Sequence, residues 1–283
     1  MSTFEPFIDG IDFAEAPRWH DGRLWYSDFY QHTVFAVDGD AKREAMVRFP
    51  GEGQPSGLGW MPDGSLLIVS MVDRKVMRWA DGSLTEHADL GDIATFHCND
   101  MVVDRSGNAY VGNFGWDIVS EGFDTIVPSD LALVRPDGSV EVAATGLAFP
   151  NGMVITPDGD TLIVGETFGG QYRAYDIAPD ATLGNERVWA GVPGTAPDGC
   201  DLDAEGAIWF ADALGGNVVR VKEGGEVTDT VATGDGVFAC ALGGDDGRSL
   251  FALCAPGSAP HDVAGKAAGS IKVMTVEVPS AHH

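Results

Sequence analysis

The side chains best suited to chemistry in this chain bear oxygen and recur at a fixed distance from a tight turn. Asn99, Asn151 and Asp198 each stand eight residues before a turn glycine, at Gly107, Gly159 and Gly206. Ser56 and Ala239 hold the same place before Gly64 and Gly247, and Glu15 stands seven residues before Gly22. Two carboxylates and two amides in one register offer hard oxygen ligands, the set that suits calcium or magnesium. No His falls in that register, which disfavours a nitrogen-rich zinc site. The same residue types also serve turns for backbone geometry alone, as in Asn151-Gly152 and Asp198-Gly199. The shared register favours ligands, because independent turns have no reason to keep it.

What positions these residues is a repeat. The turn glycines lie at 22, 64, 107, 159, 206 and 247, at intervals of 42, 43, 52, 47 and 41. That is the period of a β-propeller blade, and six copies fill the chain. A short apolar run follows each turn, such as Leu66-Leu67-Ile68-Val69 and Ile208-Trp209-Phe210-Ala211, as expected of strands buried between neighbouring blades. No long segment carries a 3.6-residue period, so helices between strands are not expected. The reading is an all-β, six-bladed propeller with a central metal site, one domain over 1–283. Residues 4–8 and 270–278 are the candidates for closing the ring. The long interval contains 113–128, with Phe114, Trp116 and Phe123, read as a loop or a lid over the mouth. Residues 279–283, ending in His282-His283, read as a tail or tag remnant. If the strand before each turn is innermost, the ring residues share one end of the channel. The ends of the return strands, among them Asp28, Glu166 and Asp212, then reach the same mouth.

Composition excludes several partners. The net charge is −26, the wrong sign for nucleic acid or an anionic membrane. No apolar run is long enough for a membrane-spanning helix. The first ten residues lack a basic and apolar leader, so a cytoplasmic protein is expected. Cys98, Cys200, Cys240 and Cys254 form no C-x-x-C pair and read as reduced and buried. No G-x-S-x-G occurs, so a serine nucleophile elbow is not supported.

Several motifs together resemble the SMP-30/gluconolactonase/luciferin-regenerating-enzyme (LRE)-like family. They are Ala14-Glu15-Ala16-Pro17-Arg18-Trp19, Asn99-Asp100-Met101-Val102-Val103-Asp104, Pro150-Asn151-Gly152-Met153 and Pro197-Asp198-Gly199-Cys200-Asp201-Leu202. The resemblance implies a six-bladed propeller with one divalent cation held by Glu15, Asn151 and Asp198. Calcium is the first expectation, with zinc, magnesium or manganese as alternatives. It further implies that Asn99 contacts the substrate and that Asp198 activates water. Animal lactonases of the family carry Arg where this chain has His97, and Ala16 stands where Gly is common. The expected function is metal-dependent hydrolysis of a lactone, a small-molecule substrate, with Asn99, His97, Glu166, Trp116 and Phe168 around it. The alternatives are a phosphotriesterase-like hydrolase, a metal-dependent lyase or isomerase, and a propeller binding module with a structural calcium. The sequence carries no signal for oligomeric state.

Overall fold

The six turn glycines all adopt positive φ, between +71° and +89°, a region that penalises any Cβ. Each turn joins the innermost strand of a sheet to the next strand outward. The computed structural model describes residues 3–122 and 126–282. It contains six four-stranded antiparallel sheets, each built from consecutive strands except where the chain ends meet. The innermost strands are Ala14–His20, Pro55–Trp60, Cys98–Val103, Pro150–Ile155, Pro197–Leu202 and Gly236–Gly243. Second strands such as Leu66–Ser70 and Ile208–Asp212 are buried throughout, whereas the outermost strand Val227–Ala232 is exposed along almost its whole length. This gradient is why the inner strands read as continuous apolar runs.

The chain ends close the ring. Glu5–Ile11 is the outermost strand of the sixth sheet and pairs with Gly269–Thr275, Glu5 opposite Val273 and Ile11 opposite Gly269. The N-terminal strand thus runs further than 4–8. Closure joins the two chain ends in one sheet and completes the ring of blades, so that only short, mutually protected edges face the channel.

Two departures from the sequence reading concern segments outside the blades. Residues 279–282 are part of the fold, not a detached tail. Ala204 donates its amide to Pro279 O, Ser280 to Gly247 O and Ala281 to Leu202 O, at 2.8, 2.8 and 2.9 Å. The last stretch therefore lies across the channel end opposite the ring residues. The second departure is the helices. The connection 114–128 joins the second and third strands of the third blade, on the mouth face, and holds the short helix Ile118–Glu121. Phe123 lies outside the described residues. A comparable connection, 256–268, stands in the sixth blade with helix Pro260–Val263. Glycine spacing could not expose it, because no seventh turn follows.

Around the channel the innermost strands touch backbone to backbone. A Cβ on Gly152 would stand 2.3 Å from Asp198 O, and one on Gly199 2.5 Å from Ala239 Cβ. Neither glycine has positive φ among the residues that do, so both are required by space and not by turn geometry. Gly159, in a turn at φ +85°, has open space where its Cβ would be. Gly159→Ala is expected to cost about 1–2 kcal/mol. Gly152→Ala is expected to cost more than about 3 kcal/mol, since backbone must move; chemical denaturation of the two variants checks the order.

Candidate active site

The residues found by counting from the turns do converge. Glu15, Ser56, Asn99, Asn151 and Asp198 are each the second residue of an innermost strand. The pairing of every innermost strand skips here, leaving Ser56, Asn99, Asn151 and Asp198 outside the ladder register and Glu15 at the edge of the skip. A bulge frees a residue from pairing and re-aims its side chain. Glu15 breaks the count because of its turn: His20 pairs directly with Arg23 across Asp21-Gly22, both at positive φ, as the tightest hairpin turns demand. In the fifth blade Leu202 pairs with Ile208 across a longer turn. Ala16, after Glu15, sits at φ +50°, and Phe149, just before the Pro150–Ile155 strand, at φ +64°. Two strained non-glycine residues thus stand beside two ring positions.

Glu15 and Asp198 are both buried. Burial holds each carboxyl well above the usual carboxylate range, and mutual repulsion adds to it: Asp198 and Asp100 act on Glu15, and Asp100 acts on Asp198. The Ala16 amide, and for Asp198 the Asn151 amide group and the Gly199 N–H, offset this only in part. Neither carboxylate forms an ion pair among the described residues. Arg18 lies within electrostatic reach of Glu15, but its guanidinium binds Asp100 at 2.8 Å and Met101 O at 2.7 Å. Asn151 Nδ2 donates to Thr167 Oγ1 at 3.2 Å, and Thr167 Oγ1 donates to Pro197 O at 2.7 Å. Asn99 Nδ2 donates to Pro150 O at 3.3 Å. With its nitrogen so engaged, each amide has its oxygen available to a cation or a ligand.

Among the described residues no three His, Cys, Asp or Glu side chains gather as a metal-binding group. The ring supplies two acids, and its other side-chain oxygens come from two amides and the Ser56 hydroxyl. Such a set fits a hard divalent cation, which removes the desolvation and the repulsion that the two carboxylates otherwise bear.

The other predicted residues sort into two groups. His97, Trp116 and Phe168 stand on the mouth face. His97 is half-buried and stacks on Phe96 at 4.0 Å, and burial lowers its pKa. Trp116 packs on Phe168 at 5.4 Å and donates Nε1–H to Gly122 O. Glu166 does not belong with them. It has no accessible surface; it accepts the Ala148 amide and bonds to Gln171 and to Arg173. Asp28 and Asp212 do the same work, accepting the Asp12 and Ala196 amides. An acid ending a second strand clamps the segment leading into its own blade, and so turns away from the mouth. Sequence reasoning missed Asp100, Arg18 and Thr167. Asp100 and Arg18 lie inside the quoted motifs, but only the shared channel shows that they pair. A separate cavity of about 480 Å³ opens at the other channel end, lined by Arg18, Trp60, Asp201 and His282, and contains none of the ring residues.

The family model described as SMP-30/Gluconolactonase/LRE-like region matches residues 13–255. The chain belongs to this family. Within the SMP-30/gluconolactonase/LRE-like family it is 29% identical to 6-deoxy-6-sulfogluconolactonase of Pseudomonas putida over 246 residues, 84% of this chain and 81% of that protein. It is 27% identical to diisopropyl-fluorophosphatase of Loligo vulgaris over 125 residues, 41% of this chain, and the match spans only 40% of that protein. Luciferin-regenerating enzyme superposes with a TM-score of 0.83 at 18% identity, covering 99% of this chain and 97% of that one, which shows the shared fold.

The two raised carboxyls make the family's ring testable without an assay. A folded-state pKa above the unfolded one means that the native protein binds more protons, so stability falls as pH rises from about 4.5 through the raised values. In chelator, Glu15→Gln and Asp198→Asn are therefore expected to be more stable than the parent by about 1 kcal/mol or more, increasingly so from pH 5 to pH 8. If the ring holds a cation, added calcium is expected to stabilise the parent and neither variant. Thermal unfolding with and without calcium decides it, and variants less stable in chelator at pH 8 contradict the reading. Arg173→Met, which strands Glu166, is expected to cost about 3–5 kcal/mol in the same measurement.

Proposed function

We propose that this chain is a divalent-metal-dependent hydrolase that opens a lactone. The observation that carries the reading is the buried pair Glu15 and Asp198 at a propeller mouth, without an ion-pair partner among the described residues, in a chain similar to a sulfogluconolactonase. Glu15, Asn151 and Asp198 would hold the cation, calcium first by its preference for oxygen ligands. Such a cation supplies a Lewis acid that polarises a carbonyl oxygen.

The chain's own groups do the rest. Asp198 is the base: it takes a proton from the attacking water as the ester carbon becomes tetrahedral, and returns it to the departing ring oxygen. Water and lactone thus become one hydroxy acid. Asn99, held by Pro150 O, orients the ring for attack. Thr167 keeps the Asn151 amide from rotating. His97, with its pKa lowered by burial, is a neutral contact at pH 7.

A second reading keeps the site and changes the bond to a phosphotriester, favoured by the similarity to the squid fluorophosphatase. A panel of lactones and phosphotriesters, assayed by proton release with and without chelator, separates the two. Lactone turnover that stops on chelation and returns with calcium is expected. Asp198→Asn is expected to lose about 10²–10⁴-fold in kcat, and Asn99→Ala to lose less. Lactone turnover untouched by chelator or by Asp198→Asn would refute the proposal.

A further inference from the structure

Above the ring the mouth is walled by aromatic rings, several of them just ahead of ring positions in the chain. Phe13 stands two residues before Glu15, Phe149 two before Asn151, and Phe238 directly before Ala239. They are parts of one interlocked collar. Phe13 packs on Phe29 at 5.3 Å and on Phe238 at 4.9 Å. Phe149 packs on Phe114 at 4.6 Å and on Phe168 at 5.1 Å. Phe114 also meets the cluster of Phe13, Met71 and Val263. Four of the six blades contribute rings, and the second adds Met71. Tyr30, Phe114, Phe168 and Phe238 keep part of their surface open.

Several polar groups on this face are engaged with the protein itself. Arg74 donates to Gly91 O and Ala94 O, and Asp12 accepts the Gly265 and Ala267 amides. Lys272 pairs with Asp235. Exposed apolar side chains gather on the same face. Val72, Ile126, Val127 and Leu214 are 44, 42, 38 and 82% exposed, all on connections between second and third strands. The remaining large exposed hydrophobics among the described residues, Val142, Val188 and Val227, lie on outermost strands.

From this arrangement we infer that the substrate carries an apolar alkyl or aryl substituent, seated against Tyr30, Phe114, Phe168 and Phe238, and not a polyhydroxylated chain. The inference rests on the hydrolase reading above and names the substrate class for that site. The part of a polyol lying against these rings, beyond reach of the ring oxygens, would leave hydroxyl groups without partners, which weakens binding. An alkyl chain gains with every methylene buried.

The test compares δ-valerolactone, δ-hexalactone, δ-octalactone and δ-decalactone with glucono-δ-lactone on calcium-replete protein. The expected result is a kcat/KM that climbs about fourfold per methylene, the ~0.8 kcal/mol of a buried methylene. Phe114→Ala and Phe238→Ala are expected to flatten that climb. Phe238→Leu restores most of it, which separates lost contact from lost fold. A flat series, or a preference for glucono-δ-lactone, overturns the inference and leaves the lactonase reading standing. If no lactone is turned over, the lactonase reading fails alone, and calorimetry of alkyl δ-lactams against gluconolactam decides the collar. Tighter binding of the alkyl lactam with a negative heat-capacity change supports it. Equal or tighter binding of gluconolactam overturns it.

Discussion

Six innermost strands share one narrow channel, and the lack of room between their backbones governs what lies around it. Where a Cβ would stand 2.3 Å from Asp198 O or 2.5 Å from Ala239 Cβ, only glycine fits. At the same level each ladder slips past its neighbour, and the residue beside the slip leaves the sheet register. The slip recurs in blades where Ala16 or Asp100 stands in place of that glycine, and it sets the ring side chains at or beside a break in pairing. The shared position of the breaks makes the ring, and the nature of its side chains then determines its chemistry.

Those side chains are short of counter-charge. Asp28, Glu166 and Asp212 are buried too, yet each is matched by backbone amides or, for Glu166, by Arg173. Asp100 is matched by Arg18. Glu15 and Asp198 face each other's field with only weak compensation. Buried charge without a partner is costly enough that folds remove it or use it. The contrast among these acids separates scaffold from site more sharply than residue type does, since all of them are Asp or Glu at strand ends.

The two ends of the channel differ in the same way. One carries the ring and the aromatic collar, with the long connections 114–128 and 256–268 beside it. The other opens into the cavity lined by Arg18 and Asp201 and is crossed by 279–282. Chain closure through Glu5–Ile11 and Gly269–Thr275 keeps the blades in register, so that ring residues far apart in sequence stay at one depth.

The sequence by itself determined the blade count, the propeller architecture and the ring positions. Glycine at positive φ is a local requirement, and a local requirement repeats visibly along a chain. Asn151, Asp198 and Asn99 were legible for that reason, and Glu15 with an allowance that its two-residue turn explains. Tertiary structure alone decided the rest. Glu166 and Asp198 look alike as acids near glycine; only the distance to Arg173 and the Ala148 amide shows that one is a clamp. That Arg18 answers Asp100 across 82 positions, and that 279–282 is pinned by Gly247 and Leu202, depends on contacts between blades. Pairing of buried charge is a property of space, and spacing along the chain does not encode it.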